Sequence, residues 1–156
     1  IPLLDTALAR LAELLGGDPE VPGSGAAGGT GFGLLAWGAR LVPGAEAVAK
    51  LIDLPERIAA ASLVRTGEGR FDGQSAGGKA PVEVARLATE ASLPCAIVAG
   101  SIDPSAISAS MHGFSAALSL TELAGSAAAA MSDPQRWLRQ AGAQLASAQR
   151  ARAPEA

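Results

Sequence analysis

The chain has 156 residues, of which 49% are hydrophobic and 17% charged, with a net charge of −3; this is enough for a domain with a real core and excludes a disordered or fibrous polypeptide. Mild acidity without a basic or aromatic stripe disfavours nucleic-acid binding, and with three Phe, two Trp and no Tyr the core must come from Leu, Val, Ile and Ala, as where helices pack on a parallel sheet. Cys95 is the only cysteine, which excludes an internal disulfide and a cysteine-rich metal site; in the apolar run LPCAIVAG it reads as a buried structural thiol, and a reducing cytoplasm is the expected compartment.

Leu3, Leu4, Leu8, Leu11, Leu14 and Leu15 recur at helical spacing before Gly16-Gly17, so residues 2–15 are predicted to form an amphipathic helix. VPGSGAAGGTGFG follows at 21–33, and its Gly23-Ser24-Gly25-Ala26-Ala27-Gly28 matches the spelling of a dinucleotide-binding fingerprint. That fingerprint needs an apolar strand before its first glycine and an acid at the end of a second strand. GGDPEVPG stands where the strand would be, and the nearest downstream acid, Glu46, opens a helical pattern, so the oxidoreductase reading is the weaker one. The uncharged run from Gly23 to Ala39 also carries GxxxG, but it is too short and too glycine-rich to span a bilayer. Ser24, Gly25, Gly28, Gly29 and Thr30 are candidate phosphate contacts, with helix capping the competing role for Ser24.

Residues 26–38 are predicted to be helical with a glycine first turn. PGAEAVAKLIDL and PERIAAA give two short helices, each opened by proline. SLVRTG (62–67) is predicted as a strand running into the glycine-rich loop EGRFDGQSAGGK, then the helix APVEVARLATEA, then LPCAIVAG (93–100) as a central strand buried on both faces. This is a βαβ crossover. PSAISASM gives the next helix, FSAALSL (114–120) the next strand, and ELAGSAAAAM with DPQRWLRQAGAQLASAQRA the closing helices. No repeat or interdomain linker is visible.

TGEGRFDGQSAGGKAP (66–81) carries the most chemistry, because ligands of open α/β sheets bind beyond the carboxyl ends of the strands. Gly73 to Ala80 is one residue from a P-loop, with Ala80 where Ser or Thr would hold magnesium and Pro81 removing an amide. It therefore reads as a different anion cradle ending in Lys79. Glu68 and Asp72 are four residues apart across this turn and are candidates to hold a divalent metal and to activate a hydroxyl. The competing roles are an ion pair of Glu68 with Arg70 and an ordinary Asp-Gly turn at Asp72. Lys79 opens a helix, an unfavourable place for a cation against the helix dipole unless it meets an anion. His112, in SMHGF, has no second histidine or acid cluster and reads as a surface residue. Arg65 reads as an edge-strand residue or a substrate contact.

GSGAAGGTGFGLLA, LVPGAEAV, LVRTGEGRFDGQSAGGKAPVEVARLA and IVAGSID resemble, in order and spacing, the C-terminal part of type I glycerate kinases, which phosphorylate D-glycerate with ATP. The resemblance covers almost the whole chain but only the later part of the family's length. The family's APDSFKG-like and GIGGSATND-like segments are absent, and Ser62-Leu63-Val64-Arg65 replaces the usual Asp-Leu-Val-Ile before TGEG. It implies an α/β fold, a three-layer parallel sheet with helices on both faces, in which 1–156 is the C-terminal segment of a two-domain protein whose active site lies between domains. It further implies that the remaining segments of the polypeptide are partners, that the segment alone is inactive, and that no membrane is involved. Ile1 in place of a start methionine fits a fragment.

By the same resemblance, Glu68, Asp72 and Lys79 are catalytic, Glu68 and Asp72 hold Mg²⁺, and Gln74, Ser75 and Gly78 join the binding loop. ATP and Mg²⁺ are the implied cofactors. The rival reading is a nucleotide- or phosphate-binding module without catalysis.

Overall fold

A computed structural model describes residues 2–73, 79–109 and 113–151 of the chain. It divides into two compact units, Ile1–Pro43 and Gly44–Ala156.

In the first unit, α1 (Pro2–Leu15) matches the predicted helix, but none of its residues is buried, and Leu3, Leu4, Leu14 and Leu15 stand exposed. The second helix, α2 (Ala26–Ala36), differs from a regular glycine-opened helix, because Ala27, Gly28 and Gly29 take φ of 51°, 66° and 92°. The left-handed region costs a glycine almost nothing. The chain therefore coils before it becomes helical, and the buried residues of α2 are Gly29, Gly31 and Phe32.

The second unit opens with α3 (Gly44–Leu51) and α4 (Leu54–Ala59), followed by β1 (Val64–Phe71), α5 (Ala80–Glu90) and β2 (Cys95–Ile102). α6 (Pro104–Ala109), β3 (Ala116–Ser119), α7 (Leu120–Ala124), α8 (Ala127–Ser132) and α9 (Pro134–Arg150) complete it. The strands form one parallel sheet in the order β1-β2-β3. Register pairs Val64 with Cys95, Thr66 with Ile97, Glu68 with Ala99, and Val98 with Leu118.

Side chains alternate across a strand, so β2 serves two cores. Cys95 packs with Val64, Ala85 and Ala88 below α5, and Ile97 and Ala99 pack with Phe71 and Ala106. Phe71 meets Phe114 edge to face, with ring centroids 5.6 Å apart. Val98 faces the other way, against Leu120, Ala130, Ala141 and Trp137 of α7, α8 and α9. Helices on both faces of a parallel sheet make the expected three layers.

The strand bounds differ from expectation. β1 begins at Val64 and continues through TGEGRF, so Glu68 lies on a strand and not in a loop. Gly67 and Gly100 explain this: a Cβ on either would strike the backbone of the neighbouring strand, at the carbonyls of Val98 and Gly69 respectively. Glycine there lets β1 and β2 stay paired where the sequence looks like a turn. Arg65 is exposed on β1, which stands at one edge of the described sheet, in keeping with its edge-strand reading.

Candidate functional site

β1 carries Glu68, and the start of α5 carries Lys79. Both line a cavity of about 640 Å³ within the second unit, walled by α3, the Ile52–Leu54 turn, β1 and the first turn of α5. Lys79 is the N-cap residue of α5, with extended backbone (φ −72°, ψ 168°), and its carbonyl accepts from the amides of Val82 and Glu83 at 3.0 and 3.2 Å. Pro81 in the first turn pre-sets the helical φ and removes an amide that the helix leaves unused. The helix thus starts directly beneath the lysine, and its N-terminal dipole favours an anion there.

Glu68 brings a different property. Its Oε1 is buried and has no hydrogen-bond partner. An acceptor in that state costs free energy unless a donor or cation reaches it. The same cavity is lined by Glu83, a residue not anticipated from the sequence. Arg86 donates to both of its oxygens, Nε to Oε2 at 2.8 Å and Nη2 to Oε1 at 2.7 Å, and donates also to Glu90. The Arg86 hydrogen bonds, aided by the charges of Arg86 and Lys50, hold the Glu83 carboxyl below its ordinary range against the opposing effect of burial. Only the recurrence of acids and Arg at helical spacing in VEVARLATE hinted at this network.

Asp72 follows β1 and does not line the cavity. It forms an ion pair with Arg70 at 3.3 Å. Nearby, Asp103 accepts from the hydroxyl and amide of Ser105 at 2.7 and 2.8 Å, which lowers its carboxyl below the usual range, with the field of Arg70 adding to this. Among the described residues no group of three or more His, Cys, Asp or Glu side chains is placed to hold a metal ion. Gln74, Ser75, Gly78 and His112 lie outside the described residues.

The first glycine stretch is built differently. Ser24 is 4% exposed and its hydroxyl donates to the Val21 carbonyl at 2.6 Å. It does not cap α2, whose N-cap is Gly25 without a side-chain bond. Thr30 donates to the Ala27 carbonyl at 2.9 Å. Ser24, Gly25 and Gly29 line a separate cavity of about 310 Å³ in the first unit, together with Asp5 and Glu20. Among the described residues no lysine or arginine lines this cavity to offset its two carboxylates, which makes it poor company for a phosphate.

Cys95 is fully buried on β2, and burial pushes its thiol up to about 11, in line with a structural role. Among the described residues no helix is long and apolar enough to cross a membrane.

The chain is similar to several bacterial proteins. An uncharacterized protein of Mycobacterium bovis is 42% identical over 128 residues, covering 81% of this chain and 33% of that protein. A glycerate kinase of Halalkalibacterium halodurans is 39% identical over 128 residues, covering 81% and 34%. The glycerate 2-kinase of Escherichia coli is 43% identical over 102 residues, covering 65% and 27%. The crystal structure of a protein described as a glycerate kinase 2, from Salmonella typhimurium, superposes with a TM-score of 0.54 at 40% identity, over 74% of this chain and 30% of that one. The chain therefore spans about a third of the length of the curated relatives it matches most extensively. With the glycerate kinase family model matching residues 1–150, the chain belongs to the glycerate kinase family.

Proposed function

We propose that this chain supplies part of the active-site cleft of an ATP-dependent kinase that phosphorylates a hydroxyl of D-glycerate and yields 2-phosphoglycerate. The observation that carries the reading is the shared cavity of Glu68 and Lys79 at the start of α5. Phosphoryl transfer asks little covalent chemistry of a protein; it asks for in-line positioning and neutralised charge. Lys79, above the positive end of the α5 dipole, holds a transferring phosphate. Glu68 presents a buried acceptor that suits the proton of the attacking hydroxyl or a cation beside the phosphates. Mg²⁺, where bound, would neutralise phosphate charge, and Glu68 is the carboxylate on β1 in this cavity that would hold it or take the hydroxyl proton, whereas Asp72, paired with Arg70, lies outside the cavity.

Lys79→Ala in the full-length protein is expected to lower kcat/KM for ATP by about 2–4 kcal/mol, the scale of one donor lost at developing charge. The exposed position predicts an unchanged Tm. A Tm that collapses along with activity would make the lysine structural, and ATP binding by the wild-type protein without any glycerate-dependent turnover would favour the non-catalytic module. Residues 1–156 made on their own are expected to transfer no phosphate to glycerate, since a cleft must align the acceptor and exclude water from two sides. Glycerate-dependent ADP release by that segment, with its mass verified, would refute this.

A further inference from the structure

The cavity beside α5 is far larger than a small hydroxy acid requires. At about 640 Å³ it falls within the range of sites for drug-sized ligands, roughly 300–1,000 Å³. Its lining is unevenly polar. Lys79 at the start of α5 and Glu68 of β1 supply charge, whereas Val48, Ile52, Leu54 and Val84 form an apolar wall from α3, the α3–α4 turn and α5. Glu83 lies one helical turn beyond Lys79, held anionic and fixed by the two hydrogen bonds from Arg86. A polyphosphate is attracted to Lys79 and repelled by the carboxylate of Glu83. A neutral flat ring with outward-pointing N–H and O–H donors suits the apolar wall, which lines the same cavity as this fixed acceptor.

Building on the kinase reading above, we propose that this cavity seats the nucleoside half of the phosphoryl donor. The base lies against Val48, Ile52 and Leu54, Glu83 accepts from an amino or ribose hydroxyl group, and the phosphates run toward Lys79. Donor choice between a nucleoside triphosphate and a bare polyphosphate is then made by α3, an element remote in sequence from the glycine-rich loop.

Val48 is 56% exposed, and Leu51 on the same helix is 83% exposed and outside the cavity, so tryptophan at either position leaves the core intact. In the full-length protein, Val48→Trp is expected to raise KM for ATP at least about tenfold by filling the seat. KM for glycerate and inhibition by inorganic tripolyphosphate should stay at wild-type values. Leu51→Trp is the matched control and should change none of these. An active Val48→Trp enzyme with wild-type KM for ATP overturns the proposal, as does an equal loss of tripolyphosphate inhibition, which places the phosphates and not the nucleoside in the seat. A wild-type protein that consumes no ATP with glycerate overturns the kinase reading itself, and this seat with it.

Discussion

The two glycine-rich stretches, 23–33 and 66–73, look alike as sequence and do opposite things as structure. In the first, missing side chains let the chain fold on itself: a Cβ on Gly31 would meet the carbonyls of Gly23 and Ser24, and the Phe32 amide donates to the Ser24 carbonyl at 2.9 Å. The hydroxyls of Ser24 and Thr30 are spent on local carbonyls, and the adjoining cavity is acidic. In the second, Gly67 lets two strands approach and leaves Glu68 facing a cavity that also holds Lys79. Glycine clusters therefore report close backbone approach before they report an anion site. The charges of the neighbours decide which it is.

The sharpest way to separate the two stretches is to restore a side chain to each. Gly67→Val should cost about 3 kcal/mol or more, because the colliding group is the Val98 backbone, which cannot yield without unpairing β1 from β2. Urea unfolding measures it, and a loss below 1 kcal/mol would show that the sheet has slack at this point. The effect at Gly29→Ala should be smaller, about 1–2 kcal/mol, from its φ of 92° and contact with the flexible end of Leu8. Gly25→Ala has ordinary φ of −73° and open space around it, so it should stay within about 0.5 kcal/mol. Equal costs at Gly25 and Gly29 would mean that backbone conformation does not organise the first stretch.

A pH test bears on the second region alone. The folded protein holds Glu83 below its ordinary 4.5, so the Arg86 pair contributes stability that is complete above pH ~4.5 and is lost as pH falls through the lower folded-state value. Arg86→Met should therefore be less stable than wild type at pH 7, and the gap between the two urea midpoints should narrow on acidification toward pH 3. A gap of the same size at both pH values would remove the ion pair as its source.

Much of the fold was legible because periodicity and punctuation are local. The α1 bounds, the two proline-opened helices, α5 and the buried run at Cys95 all follow from spacing, Gly and Pro. The misread parts depend on partners distant in sequence. Nothing near TGEGRF says that it pairs with Cys95–Ile102. ELAGSAAAAM splits into α7 and α8 because Gly125, at φ 81°, ends one helix, and the Ser126 hydroxyl accepts from the Ala129 amide to start the next. The candidate site divides in the same way. Lys79 and Glu68 were named from one loop and prove to share a cavity, whereas Glu83 and the α3 wall become visible only when α3 packs against α5. Asp72, chosen for its spacing from Glu68, is engaged with Arg70 instead, since four residues along a strand do not converge on one point as they would across a turn.

β2 is paired along both edges and covered on both faces, and its Gly100 carbonyl accepts from the Thr121 hydroxyl of α7 at 2.7 Å. Its central amides cannot meet solvent by fraying of a terminus or detachment of a single helix. Their hydrogen-exchange rates are thus set by opening of the whole 44–156 unit, and they form an internal clock for its cooperative unfolding. α1, with no buried residue, keeps much faster time.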